Sequence, residues 1–349
     1  MGKTSKQMKK FISPLFPLSS MIKRVLPFIF LLFILQKGMA QEITVKRFDV
    51  NPIIRPDMLT NGDGEDINGP SLIRVPAWIK KPLGKYYLYF AHHSGKYIRL
   101  AYADNLAGPW KIYEKGTLTT DAPLYDGTNK MKTSHIASPD IHIDNIKKEL
   151  VMYFHISPGK LANEAKQVTL RATSKDGIDF QPDNKILGES YFKVFKWDNQ
   201  FYAMAKFGNL YRSDNGINVF EKGPNPFRNL EAVFGESHIR HVAVLLRKDM
   251  LYAFYSKIGD APEHIEYSKI HLTKDWNNWE ASAPVSLVVP TMEYEGGNIP
   301  PKKSVSGASK KPVCELRDPA IFEENGKVYL LYSVAGELGI AIAEIKINN

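Results

Sequence analysis

The sequence has one cysteine, Cys314, in 349 residues. A lone thiol closes no internal disulfide, so a packed core must hold the fold, and a chain of this length can bury a sizeable one. No apolar run reaches the about 20 residues that a membrane-spanning helix needs; VLPFIFLLFIL at 25–35 stops at 11. Residues 1–40 lack Asp and Glu altogether, yet hold seven cations: Lys3, Lys6, Lys9, Lys10, Lys23, Arg24 and Lys37. A basic start, a short apolar stretch and the small residues Gly38 and Ala40 ahead of Gln41 predict a signal peptide over 1–40 and export to the periplasm or beyond. A transmembrane anchor is the alternative, which the short run disfavours. Gln41 in place of Cys argues against lipoprotein processing, and Met21 offers a later start. Without those seven cations the formal charge falls from +9 to +2. The basic character therefore belongs to the leader, and a nucleic-acid partner is not expected. Also missing are a long helical periodicity after Gln41 and any H-E-x-x-H spacing, which removes a helical domain and a catalytic zinc from the expectations.

What the chain does have is a repeat. An apolar-aromatic pattern recurs as GKYYLYF at 84–90, KELVMYF at 148–154, NQFYAMA at 199–205, DMLYAFY at 249–255 and GKVYLLY at 326–332. Residues of this kind suit a sheet. Each run follows another apolar strand and a polar turn, and a third strand comes after it, as in IRLAYADNLAGPW at 98–110 and GIAIAEIKI at 339–347. Strand, turn, strand, loop, strand, turn, strand is a four-stranded antiparallel blade, and its recurrence predicts an all-β, five-bladed β-propeller over 41–349. An open β-sandwich alternates too, but leaves the repeated unit unexplained. The last unit ends after its third strand, and ITVKRFDV at 43–50 could supply the missing outer one. The stretch GGNIPPKKSVSGASKKP at 296–312 reads as a loop.

A propeller converges its innermost strands on a central channel, so the start of each blade is where polar side chains meet. The openings hold Asp66 (GDGEDINGPS), Asp140 (SHIASPDI), Glu189 (GESYF), Glu236 (GESHIRH) and Asp318 (ELRDP). Each carries a carboxylate. Acid–base work by paired carboxyls needs the two in different protonation states, one raised by burial and one held ionised by an arginine. Arg240 and Arg317 stand beside two openings; they either do this or tie neighbouring blades as ion pairs.

The S-P-D-I of blade two and the R-D-P-A-I-F of blade five, each followed by a Y-L-x-Y-type strand, resemble the blade openings of family 43 glycoside hydrolases. The resemblance covers nearly all of 41–349 and implies an Asp base, a second Asp that tunes, and a Glu acid acting with inversion on a carbohydrate. It maps Asp140 to the P-D opening and Asp318 to a D-P opening. Glu189 and Glu236 compete for the acid, with Glu236 preferred. At blade one the family has Asp before Pro, whereas this chain has Gly69; Asp66 is the nearest substitute, with Asp140 or Asp318 as alternatives. The resemblance requires no cofactor and allows a structural calcium or sodium ion near the axis.

Candidate sugar ligands are His135, His238, Arg240, His241 and Arg317 in the openings, with His92 and His93 after the second strand of blade one, in YFAHHSG, and His155 similarly placed in blade two, in YFHIS. Adjacent strand residues face opposite ways, so only one of His92 and His93 reaches the channel. Trp78 reads as core more than as a stacking platform. SKDGIDF at 174–180 and SDNGINVF at 213–220 resemble the Asp-box turns of sialidases, but read more simply as hairpin turns. The activity expected is that of an exported glycosidase, with a non-catalytic carbohydrate-binding propeller, motivated by Gly69, and an interaction scaffold as alternatives.

Overall fold

Alternation along the strands decides the architecture. In a computed structural model, apart from Gly2, the described residues are 42–127, 130–158, 167–183 and 185–348; the predicted signal peptide lies outside them. Strand β1 is Ile43–Arg47. Blade one then follows as β2 Asn68–Arg74, β3 Tyr86–Ala91, β4 Arg99–Ala103 and β5 Lys111–Tyr113. Blade two holds β6 Thr133–Asp144, β7 Glu149–Pro158, β8 Val168–Ser174, β9 Gln181–Pro182 and β10 Gly188–Glu189. Blade three holds β11 Lys193–Trp197, β12 Gln200–Met204, β13 Leu210–Ser213 and β14 Glu221–Lys222. Blade four holds β15 His238–Arg247, β16 Met250–Ile258, β17 Ile265–His271 and β18 Val285–Val288, and blade five β19 Arg317–Glu324, β20 Lys327–Ser333 and β21 Ile340–Ile347. These make five antiparallel sheets, the five-bladed propeller the repeat predicts.

Each blade buries both faces, and the period of two shares its residues between two neighbours. On β3, Leu88 and Phe90 pack towards blade five with Leu331 and Ile342. Tyr87 and Tyr89 pack towards blade two with Met152 and Phe154. The same division yields apolar clusters at the junctions of blades two and three, three and four, and four and five. Trp78 packs against the cluster between blades one and two, as its core reading expects.

The ring closes where the repeat is one strand short. Strand β1 pairs with β21, Ile43 opposite Ile347 and Arg47 opposite Ala343, so the N-terminal stretch completes the last blade. Arg47 is held by Glu295, fully buried, at 2.6 Å. Glu295 also accepts from the Tyr332 hydroxyl at 2.9 Å and from the backbone N–H groups of Thr291 and Met292 at 2.9 and 3.1 Å.

The two SxDG-like segments are hairpin turns that staple blades. Asp176 accepts from the N–H groups of Ile178 and Asp179, and Asn215 does the same for Ile217 and Asn218. The Tyr89 hydroxyl then donates to Gly177 O at 2.7 Å, and the Tyr153 hydroxyl to Gly216 O at 2.9 Å, each from the preceding blade. A Cβ at either glycine would meet that tyrosine oxygen at 2.9 Å, and both glycines have positive φ.

One boundary differs from expectation. Gly188–Glu189 does not open blade three but pairs with β8 at the edge of blade two. Tyr191, at φ 69°, turns the chain, and the inner strand of blade three starts at Lys193. No helix among the described residues is long and apolar enough to cross a membrane.

Removing one partner from a buried ion pair is strongly destabilising, by about 3–5 kcal/mol. Glu295→Ala should therefore lower unfolding stability by about 3 kcal/mol, read from the urea midpoint. A loss near zero would show that β1 is held by its ladder and apolar contacts alone.

Candidate active site

The inner strands β2, β6, β15 and β19 each break register at their opening, between Asn68 and Ser71, Ala137 and Asp140, Ile239 and Val242, and Arg317 and Ala320. Three of the breaks fall on X-Pro, with Gly69, Ser138 and Asp318 at φ 57°, 49° and 50°. Proline has no N–H to give a ladder and settles at bulges, and a bulge re-aims the side chains beside it. This device turns the openings towards the axis.

A pocket of about 540 Å³ lies there, lined among others by His93, Glu189, Tyr191, Lys206, Arg240 and His241. Behind its wall runs a chain of buried charges. Arg240 grips Glu263 through Nε and Nη2, at 2.8 and 2.9 Å. Arg317 Nε lies 3.8 Å from Glu263 and 2.8 Å from Glu315. Arg317 Nη1 donates to Glu337 at 3.0 Å, and the other Glu337 oxygen is 2.9 Å from His93 Nδ1. Asp66 Oδ2 is 3.4 Å from the same nitrogen, while Asn68 donates to Asp66 Oδ1 at 2.6 Å. The loop at 296–312 is roped over this chain: Arg240 donates to Val305 O, Arg317 to Gly307 O, and Ser309 N–H to Glu337.

Electrostatics separates the histidines. Burial alone would lower His93, but hydrogen bonds to Asp66 and Glu337 and their charges outweigh it and raise its pKa to about 9. His93 is thus cationic at neutral pH, and Nε2 makes no hydrogen bond among the described residues. Burial, aided by the Arg240 charge, drives His241 well below its ordinary value, so it stays neutral. His241 Nδ1 contacts Asp318. Burial also lowers His135, to about 4, and holds His155 well below its ordinary value. Their Nε2 atoms meet at 3.0 Å, and the His155 ring lies 4.4 Å from that of Tyr191. Burial would raise Glu189, but Lys222 at 2.6 Å and Asn209 at 2.8 Å hold it below the ordinary glutamate range.

The pocket therefore gathers His93, Glu189, Arg240 and His241 of the sequence-predicted residues. Asp66, Arg317 and Asp318 stand directly behind it, and His155 and His135 lie deeper. The expected trio of Asp140, Glu236 and Asp318 is not assembled. Asp140 turns towards blade three, accepting from Val194 N–H at 2.9 Å beside His142 and Lys193. Glu236 is 87% exposed and pairs with Lys303 outside the pocket, whereas Glu189 lines it. Asp318 is buried, with Gly69 N–H 3.4 Å from its Oδ2. A blade-five carboxylate thus reaches the place where blade one carries Gly69. His92 folds back to accept from Ser94 N–H, so His93 alone of that pair reaches the pocket, and His238 is exposed beside Phe207. Glu263, Glu337, Tyr191 and Lys206 were not foreseen. The available signal was an acid just before the third strand in both GDAPEHI and AGELGI.

Asp66 Oδ2, His93 Nδ1 and Glu337 form the one group of ligating atoms within 4.8 Å of one another among the described residues. Calcium and sodium favour all-oxygen shells, so an imidazole nitrogen at the centre does not fit the ion that the family resemblance allows.

No family model matches the chain. An uncharacterized protein of Acanthamoeba polyphaga mimivirus is 37% identical over 327 residues, covering 87% of this chain and 91% of that one. The chain belongs to this viral protein's family. Solved structures similar to this member include a putative glycoside hydrolase from Parabacteroides distasonis, at TM-score 0.57 and 14% identity over 87% of this chain and 97% of that one. A thermostable family-43 glycoside hydrolase matches at TM-score 0.53 and 14% identity over 80% and 88%. An exo-beta-1,3-galactanase from Phanerochaete chrysosporium, solved with beta-1,3-galactotriose, matches at 0.51 and 10% over 87% and 64%. The chain thus shares the five-bladed propeller fold of a family-43 glycoside hydrolase.

Glu337→Gln removes one of the two anions that raise His93. The His93 pKa should fall from about 9 towards its ordinary value, as read by NMR titration of the ring. A raised pKa stabilises the fold while the histidine is protonated. That contribution is full below about pH 6.5 and fades as pH rises through about 9; His93→Gln should remove this part of the pH slope. An unmoved His93 pKa in the Glu337 variant would remove the carboxylate explanation.

Proposed function

We propose that this protein is a glycoside hydrolase acting on a carbohydrate outside the cytoplasm, with His93 as proton donor and Glu189 as the ionised carboxylate. The observation that carries the proposal is the pairing of a cationic histidine and an anionic glutamate in the wall of one pocket at the blade openings. Acid–base cleavage needs two groups whose surroundings push their protonation states apart. Glu337 and Asp66 hold Nδ1 and fix the ring, as a carboxylate orients a catalytic imidazole, leaving Nε2 to protonate the departing glycosidic oxygen. Glu189 takes a proton from the attacking water, an arrangement that inverts the anomeric centre. The family-43 fold and its carbohydrate-bound galactanase relative support the substrate class. Gly69, where family 43 has its base, favours a second reading, a carbohydrate-binding propeller without turnover.

Activity on a panel of arabinan, xylan, galactan and algal oligosaccharides should follow a bell in kcat/KM. Its alkaline limb should lie near pH 9, where His93 loses its proton, and its acid limb below the ordinary glutamate range. His93→Gln and Glu189→Gln should each cost about a hundredfold or more in kcat with binding kept, and the alkaline limb should vanish in the first. Chelation with EDTA should leave turnover intact. Binding without turnover across the panel selects the second reading, and loss of activity on chelation would remove His93 as the proton donor.

A further inference from the structure

Every charge in the pocket wall but one is answered by the chain itself. Lys222 answers Glu189 at 2.6 Å, Glu263 answers Arg240 at 2.8 Å, and Glu337 answers His93 at 2.9 Å. Lys206 lines the same pocket and has no carboxylate partner among the described residues. Its ammonium lies over two aromatic faces instead, 4.9 Å from the Phe207 ring centre and 5.9 Å from that of Tyr191. Those faces hold the charge at the wall without neutralising it.

Phe207 is unusual in its own right. Its φ of 62° puts a bulky residue in the left-handed region, a conformation that persists only where the surroundings impose it. Lys206 N–H donates to Ser190 O at 3.0 Å, Gly208 N–H to Ala205 O at 3.0 Å, and Asn225 Nδ2 to Phe207 O at 2.9 Å. The outcome is a ring left 41% exposed at the pocket wall beside an unmatched cation. An aromatic face and a single charge are what a ring-shaped, singly anionic ligand would engage together.

We infer that the pocket selects a sugar ring bearing an anionic group, carboxylate or sulfate, which pairs with Lys206 while the ring lies on Phe207. The inference rests on the carbohydrate reading above and names its substrate class. A neutral sugar would leave the ammonium partly desolvated and unpaired, which is how the site discriminates.

Calorimetric titration with galacturonate, glucuronate and galactose 6-sulfate, against galactose, tests it without requiring turnover. The anionic sugars should bind at least about tenfold more tightly than galactose, less so as salt rises, and the uronate and sulfate arms identify which anion is preferred. Lys206→Gln should erase the preference, Lys206→Arg should keep most of it, and Phe207→Ala should weaken all four sugars. Lys206→Gln should melt with the wild type, since the ammonium has no ion partner within the protein. Galactose binding as tightly as the acids, a preference that survives Lys206→Gln, or no binding by any of the four would overturn the inference. Hydrolysis of neutral oligosaccharides untouched by Lys206→Gln would sink it while leaving the hydrolase standing. A Lys206-dependent preference with no hydrolysis of oligouronides or sulfated oligosaccharides would sink the hydrolase and leave the inference standing.

Discussion

The site depends on a line of buried charge that crosses three blades: Arg240 and Glu263 on blade four, Arg317 and Glu337 on blade five, His93 and Asp66 on blade one. Glu263 and Glu337 are fully buried and Arg317 nearly so. Taking such groups from water costs several kcal/mol each and is repaid only by close pairing and complete hydrogen bonding. Here the repayment is shared. Glu263 accepts from Arg240 and from Ser256 Oγ at 2.6 Å, and Glu337 accepts from Arg317 and meets His93 with its other oxygen. Hydrophobic packing holds neighbouring blades together, but it does not fix which polar atom faces which across the mouth. The ion line does, and the raised pKa of His93 is its electrical consequence.

The same line explains why the family-43 pattern was only partly transferable. In that pattern three carboxylates stand at blade openings. Here the openings of blades four and five lead with arginines: Arg240 is held by Glu263 from the loop before its third strand, and Arg317 by Glu315 of its own opening and by Glu337 from the loop before the third strand. Gly69 leaves blade one without a side chain, and Asp318 of blade five fills the space against its N–H. Asp140, freed from an axial role, binds the Val194 N–H and seats blade three. Carboxylates at the openings are thus divided between joining blades and serving the pocket, and position in the repeat does not say which.

The fold was legible because it is written twice over, in period-two alternation and in five recurrences of one unit. Even the closure was readable, since the last unit lacks a strand and ITVKR has the alternation to supply it. The site was less so. Arg240, His241 and Glu189 were found because they lie in segments that read as blade openings, and His93 because it follows the second strand of blade one. Glu263 and Glu337 were not, because their loops come close to the axis only after the bulges at the openings have turned the inner strands, and a bulge leaves no mark on hydrophobic periodicity. Glu236 drew attention because its segment also holds His238, Arg240 and His241, yet of the two G-E-S glutamates it is the one outside the pocket. One copy ends at a chain reversal, Gly235 at φ 59°, that leaves its glutamate in solvent; the other is captured by the edge of β8. Lys206 and Phe207 belong to no repeat, and only the positive φ at Phe207 marks them.

The loop at 296–312 ties these threads together. Its carbonyls at Val305 and Gly307 are gripped by the two arginines of the ion line, and its Ser309 N–H by Glu337, so the pocket's outer wall hangs from the groups that set the charge of its inner wall. A backbone held by buried guanidinium groups is fixed more firmly than surface lysines could fix it, because the arginine fork is rigid and loses little freedom on bonding. Residues Ser306 and Gly307, small and lining the pocket, then set its width on that side. A change at Arg317 would therefore act on His93 through Glu337 and on the pocket's shape through Gly307 at once. The charge on His93 and the shape of the pocket are thus two outputs of one network.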